Sequence, residues 1–242
     1  MDKVSLLHWN ILYQKSAENI LSVVKGINPE IFCCQEINDA NDNLVQKVAK
    51  LFKYHYFEPA EIIGANDEKL RLGNAIFSSY PIDFSRKVVL WNGPNQTSLN
   101  KHEARIYVES ILDYQGKKLR VGTTHLSFAP YFEVTPDRQQ QAIKLLEAIK
   151  GNSQMFVLTG DFNSAPNTKI IKDIERYFTS AGPPHDKPTF SIIPFSFLGF
   201  EVTGLDWRVD YIFTTKDIKV LSSRIIKAGF SDRLPIVAEI QI

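Results

Sequence analysis

The chain is poor in sulfur and in net charge. Its two cysteines, Cys33 and Cys34, are adjacent. Neighbours on a strand point to opposite faces and do not readily bridge. Neither has a second Cys or His at ligand spacing, so both read as buried structural thiols, not redox or metal groups. A formal net charge of +1 over 242 residues excludes an affinity that comes mainly from a global basic field, although a local patch stays open. No apolar run reaches membrane-spanning length. The N-terminus lacks a charged region followed by a long apolar one. A cytosolic, monomeric protein is expected. No repeat, low-complexity tract or linker divides the sequence, so a single domain over 1–242 is expected. At 44% hydrophobic the chain can bury a sizeable core.

Helical patterns are few. Ala17 to Lys25, Asn41 to Phe52, Thr135 to Lys150 and Asn167 to Phe178 carry apolar residues at helical spacing, and Pro136 sits in a first turn. Strand patterns are more numerous, near 3–9, 30–35, 54–58, 74–78, 84–90, 103–112, 118–125, 155–160, 208–214, 218–226 and 235–241. Ala104 to His125 reads as an antiparallel hairpin turning through Asp113-Tyr114-Gln115-Gly116. The mixture points to an α/β (α+β) protein with two packed sheets and helices outside. Leu90 to His102, Ser127 to Tyr131 and Ala181 to Gly204 read as surface loops that line a cleft. On them lie Trp91, Tyr131, Phe132, Phe195, Phe197 and Phe200, which could stack on bases, meet a lipid or pack beneath the loops.

The apolar run Met155 to Thr159 ends in Gly160-Asp161-Phe162-Asn163. Period-two alternation puts Asp161 and Asn163 on one side and Phe162 on the core side. A carboxylate beside a carboxamide at a strand end is costly unless it meets a ligand such as a hard cation or a phosphoryl group. An Asx turn that merely stops the strand is the alternative. The same grammar recurs: strand-like runs end at Asn10, at Gln35-Glu36 and at His125, another begins at Asp210, and Ser231-Asp232-Arg233 precedes a further one. Together these ends describe one active-site rim.

The ordered segments His8-Trp9-Asn10-Ile11, Gln35-Glu36-Ile37, Leu72-Gly73-Asn74-Ala75-Ile76, Thr124-His125-Leu126, Gly160-Asp161-Phe162-Asn163, Val209-Asp210-Tyr211-Ile212-Phe213 and Ser231-Asp232-Arg233-Leu234-Pro235-Ile236 resemble the endonuclease/exonuclease/phosphatase superfamily, typified by pancreatic DNase I, exonuclease III and inositol polyphosphate 5-phosphatases. The resemblance implies a four-layer α/β/β/α sandwich and a Mg²⁺- or Mn²⁺-dependent hydrolase of phosphate esters. Nucleic acid or nucleotides are the first-choice substrates, and a phospholipid or inositol phosphate is the alternative. Glu36 becomes the main metal ligand, with Asn10 and Asp232 in or near the shell. Asp161 and Asn163 orient water and phosphate. His125 contacts a phosphate oxygen or assists the leaving group. Asn74 and Arg105 are candidate phosphate contacts, with a structural hydrogen bond and a surface ion pair as their alternatives. Glu36 as a capping acid, His125 as a satisfied strand-end imidazole and Asp210 as a partner of Arg208 or Arg233 remain the plainer readings.

One position departs from the family pattern. Its last motif ends Ser-Asp-His, with the histidine oriented by the aspartate that matches Asp210; here the residue is Arg233. A guanidinium stays charged and accepts no hydrogen bond. If the histidine is a general base, its loss costs on the order of 10²–10⁴ in rate. If it stabilises phosphoryl charge, arginine keeps part of that role. A bidentate Arg233–Asp210 pair is expected. The rival from another class is a phosphate-binding protein without turnover.

Overall fold

The computed structural model describes residues 3–13, 16–39, 43–63, 70–94, 102–151 and 155–242. Two six-stranded sheets form its centre. The first contains β1 (Lys3–Asn10), β2 (Ile31–Asn38), β3 (Tyr54–Ile63), β4 (Leu70–Ser78), β13 (Lys219–Ile225) and β14 (Ile236–Gln241), in the order β13-β14-β1-β2-β4-β3. The second contains β5 (Ile82–Pro94), β6 (His102–Tyr114), β7 (Lys117–His125), β8 (Met155–Asp161), β9 (Thr179–Ser180) and β12 (Asp210–Thr214), in the order β5-β6-β7-β8-β12-β9. Each sheet has one parallel pair at its centre, β1 with β2 and β7 with β8. Parallel neighbours need a crossover. Helices α1 (Ala17–Ile27) and α3 (Pro136–Ile149) supply the two crossovers.

Strand alternation separates three cores. Leu6, Cys33, Val108, Val121, Val157 and Ile212 fill the space between the sheets. Trp9, Cys34 and Phe32 face the other way, under α1 and α2 (Leu44–Ala49). Phe156, Leu158 and Phe213 lie under α3 and α4 (Lys169–Glu175). The layers are therefore α/β/β/α, and the two cysteines are free, buried and divided between two cores.

Local chemistry sets the element ends. Thr135 accepts from Arg138 N–H at the start of α3, with Pro136 in its first turn. Asn28 closes α1 in the left-handed region at φ 51°. Gln115 and Gly116, at φ 52° and 85°, make the tight β6–β7 turn, and Asp113 Oδ1 accepts from Gly116 N at 2.7 Å.

Two expected loops are partly strand. β5 continues through Leu90 to Pro94, paired with β6, because the pairing outweighs the turn signal of Asn92-Gly93-Pro94; residues 95–101 lie outside the described residues. Within Ala181 to Gly204, β10 (Phe195–Phe197) and β11 (Phe200–Val202) form a small hairpin. The helix expected from Asn41 is α2, and residues 41 and 42 lie outside the described residues.

A buried ion pair locks α3 to the second sheet. Arg120 is fully buried, donates to Glu109, and reaches the Ala148 and Ile149 carbonyls at the end of α3. Its guanidinium lies 4.2 Å from the Phe156 ring centroid. Arg86 also pairs with Glu109. Removing one partner of a buried pair leaves an uncompensated charge. Arg120→Leu should lower unfolding free energy by about 3 kcal/mol, the low end of that range because Arg86 remains. Chemical denaturation would measure it, and an unchanged midpoint would show that Glu109 is satisfied without Arg120.

Candidate active site

The parallel pairs bring strand ends from both sheets to one edge. Asn10 closes β1, His125 closes β7, Asp161 closes β8, and Asp210 opens the antiparallel β12. Asp161 and Asp210 are direct partners across β8 and β12. Glu36 sits at a bulge in β2, where pairing with β4 shifts between Cys34 and Ile37. Its φ is 55° and that of Asn163 is 44°, both in the left-handed region. Non-glycine residues there carry strain, which here re-aims both side chains toward the edge.

Hydrogen bonds join these groups. Asn10 Nδ2 donates to Glu36 Oε1 and Asp161 Oδ2, each at 3.0 Å, while its Oδ1 accepts from Leu12 N at 3.1 Å. The amide thus presents nitrogen, not oxygen, to the carboxylates. Asp161 Oδ1 accepts from Asn163 N at 2.9 Å. Ser231 Oγ donates to Asn10 O at 2.7 Å, and Trp9 Nε1 donates to Arg233 O at 3.0 Å, so the Ser231–Arg233 turn is tied to β1.

Arg233 does not make the bidentate pair expected with Asp210. Its Nε donates to Asp161 Oδ2 at 3.1 Å, Nη1 to Asp232 Oδ2 at 2.7 Å and Nη2 to Asn163 Oδ1 at 3.2 Å. Asp210 Oδ2 is 3.8 Å from Nε. The guanidinium lies 3.9 Å from the Phe190 ring centroid. Asp210 instead meets His8, whose Nε2 is 3.3 Å from Oδ1 in a fully buried contact. Arg208 reaches only the Asp210 backbone carbonyl.

The two candidate phosphate contacts both hold partners within the protein. Asn74 is buried and donates across the sheets to Ile106 O at 3.0 Å. Arg105 pairs with buried Glu103, which also accepts from Ser127. Its Nη1 lies 3.2 Å from His125 Nδ1. An arginine can only donate, and so can the Asn163 Nδ2 amide that lies 3.2 Å from the other ring nitrogen, Nε2. That nitrogen lies 3.8 Å from Asp161 Oδ2 and 4.0 Å from Glu36 Oε1.

The electrostatics follow from burial. Burial, aided by the charges of Arg105 and Arg233, holds the His125 imidazolium well below its ordinary range, so the ring is neutral near pH 7. Burial and the neighbouring Asp232 carboxylate push Glu36 up to about 7. Burial also raises Asp232. Burial opposes the Arg233 charge, but Asp161, Asp232 and Asp210 outweigh it and raise Arg233 further.

Three contributors were missed in the sequence. His8 was legible only as a titratable residue on an otherwise apolar inward face of β1. Arg138 on α3 clamps the turn after Asp161 by donating to the Phe162 and Asn163 carbonyls and to Ser164 Oγ. Glu103 holds Arg105. Arg138 carries no local signal, because these partners are distant in sequence, whereas Glu103 lies only two residues from Arg105 on β6.

Among the described residues, no group of three His, Cys, Asp or Glu side chains forms a ready cage for an ion. The chemistry at Glu36 nevertheless fits a hard cation, which takes oxygen ligands and often only one or two carboxylates. Its carboxyl is partly open, at 22% side-chain exposure, and has amide but no guanidinium hydrogen bonding.

Metal-free stability should report Glu36. Unfolded, it ionises near 4.5; folded, near 7. Between these values the native state holds a proton that the unfolded state has released, so the contribution of Glu36 to stability is fully present below 4.5 and is lost as pH rises to about 7. The loss is on the order of 3 kcal/mol. With chelator present, Glu36→Gln should show a flatter stability profile over that window. Parallel profiles for the two proteins would remove Glu36 as its source.

The family profile described as "Endonuclease/Exonuclease/phosphatase family" matches residues 7–232. No curated protein matches the chain in sequence. Among solved structures, an endonuclease/exonuclease/phosphatase from Beutenbergia cavernae superposes with TM-score 0.78 at 18% identity, over 100% of this chain and 72% of that one. The human nocturnin catalytic domain with bound sulfate gives 0.73 at 19%, over 99% and 94%. TDP2 of D. rerio, complexed with a single-strand DNA product, gives 0.73 at 16%, over 100% of both chains. At these identities the structural likeness carries the fold, while the profile spans nearly the whole sequence, and the chain belongs to the endonuclease/exonuclease/phosphatase family.

Proposed function

We propose that this chain is a divalent-metal-dependent hydrolase of phosphodiester or phosphomonoester bonds, using Mg²⁺ or Mn²⁺ and slowed by Arg233. The observation that carries it is the single hydrogen-bonded cluster of Asn10, Glu36, Asp161, Asn163, Asp232 and Arg233, with His125 and Asp210 within 4 Å of its members. Family members usually hydrolyse phosphate esters. A bound divalent ion would supply Lewis acidity at the phosphoryl oxygen. Glu36 would hold it, with Asp232 as second carboxylate and Asn10 orienting Glu36 through its amide.

The remaining roles follow from the side chains. His125, whose Nε2 faces Asn163, Asp161 and Glu36, contacts a phosphate oxygen or assists the leaving group. Asp161 accepts from water, and Asn163 helps fix the phosphate. Arg233 offers charge to phosphoryl oxygens but cannot take a proton. Its hydrogen bonds to Asp161, Asp232 and Asn163 also hold it among the acids. That pairing supports the second reading, a phosphate-binding protein without turnover. Nucleic acid and nucleotides stay in the substrate screen beside phospholipid headgroups, since TDP2 is solved with a DNA product.

Two experiments test this. Calorimetry with Mg²⁺ and Mn²⁺ should show clearly weaker binding to Glu36→Gln, and native affinity should drop as pH falls below about 7, where protons compete for Glu36. Equal affinities would place the ion elsewhere. In single-turnover hydrolysis of these substrates, Arg233→His should be faster than the native chain by roughly ten-fold or more. A native chain as fast as Arg233→His would remove position 233 from the chemistry and leave His125 as the main proton-bearing group.

A further inference from the structure

A packed aromatic cluster runs from beneath the site to an exposed turn. Phe190, beneath the Arg233 guanidinium, packs on Phe132 and Phe195 at centroid distances of 5.5 and 5.6 Å. Phe195 leads to Phe197, and Phe128 touches both. The ladder ends at the β10–β11 turn, where Leu198 is 63% exposed at φ 50°. Beside it, Tyr131 is 54% exposed and donates to Gly199 O at 3.1 Å; ahead of β10, at the other end of the hairpin, Ile193 is 39% exposed.

Charge narrows what this edge can meet. Residues 188–207 and 126–137 contain no Lys or Arg, but they contain Glu133, Asp137, Glu201 and Asp206. A nucleic-acid strand leaving the site along this edge would meet acids where phosphates require bases. Phe132 and Phe200 are buried and pack edge-on, so they offer no free stacking face. Leu198 and Ile193 are aliphatic and cannot stack on bases, and the exposed Tyr131 ring is packed on Phe200 at 4.9 Å and pinned by its hydroxyl to Gly199 O. An exposed apolar tip with an aromatic phenol at its base and acids behind it suits a surface that is apolar below, polar at the interface and without net negative charge.

We propose, building on the phosphate-ester reading above, that the β10–β11 turn and Tyr131 dock on a zwitterionic phospholipid bilayer, so that the ester presented to Arg233 and Glu36 belongs to a lipid headgroup. Leu198 and Ile193 enter the acyl boundary, and Tyr131 sits at headgroup level. The packed ladder from Leu198 to Phe190 then ties the docked turn to the acidic cluster.

Cosedimentation with phosphatidylcholine vesicles tests docking without turnover. The native chain should sediment, and binding should persist in 0.5 M salt because apolar contact is not screened (about 3–5 Å Debye length at such salt). Leu198→Asp and Ile193→Asp should each weaken binding by about ten-fold or more, the loss of one buried aliphatic side chain. Both sites are exposed, and an unchanged melting temperature would confirm folding. Glu36→Gln should sediment like the native chain, so failed docking and failed hydrolysis are read separately. No sedimentation, binding only to anionic vesicles, binding abolished by salt, or unchanged binding in both Asp variants would each overturn the proposal. So would a dimer that Leu198→Asp dissolves, or single-stranded DNA binding that this variant abolishes.

Discussion

The site is held together by one guanidinium among four carboxylates. Glu36, Asp161, Asp210 and Asp232 come from four separate stretches of chain and would repel one another if left bare. Arg233 bonds two of them directly and lies 3.8 Å from a third. His8 takes the free side of Asp210, and Asn10 bridges Glu36 to Asp161. Burial makes each pairing stronger and each omission more costly. Glu36 shows the consequence: it lacks a direct cationic hydrogen bond, and it is the acid driven up to about 7. The same guanidinium that lets the acids coexist also occupies the place where a proton-accepting side chain would stand. On the hydrolase reading proposed above, the cluster's cohesion and the speed of turnover stand in opposition at position 233.

The architecture converts sequence order into this meeting. Two parallel β-α-β units, one per sheet, send the C-terminal ends of β1, β2, β7 and β8 to one edge. The antiparallel β12 then delivers its first residue to the same edge. Once the two sheets face each other, the polar ends of the strands have nowhere else to go. Asn74 adds a hydrogen bond from the first sheet to the Ile106 carbonyl of the second, so the sheets are joined by polar contact as well as by the apolar core.

Much of this was legible from alternation and strand-end chemistry. Phe162 turns to the core beside the strand-end Asp161 as period two demands, while Asn163 has left the strand at φ 44°, and the hairpin through Gly116 lies where its turn residues put it. Cys33 and Cys34 occupy different cores for the same reason. What escaped was long-range. His8 reaches Asp210 across 202 positions, and Arg105 meets His125 only because β6 and β7 are adjacent in the sheet. The side of Arg233 chosen by Asp161 over Asp210 depends on how the Ser231 turn is tied to β1, which no local pattern encodes. The bulge at Glu36 was invisible too, since its signal is a register shift between strands and not a residue type.

Asp161 and Asp210 stand directly opposite each other in the β8–β12 ladder. Like charges at such positions ordinarily weaken a sheet. In this ladder their partners, Arg233 and His8, arrive from outside the strand pair. A slip of β12 by one residue would turn Asp210 to the far face, among Phe156 and Leu158 beneath the helices, where neither partner can follow. The repulsive pair thus acts as a proofreading mark during folding: the strands are comfortable in their ladder only after β1 and the Ser231 turn have taken their places. The register of the second sheet is thereby coupled to the placement of the first, and the chemistry of the site becomes a condition on the fold that carries it.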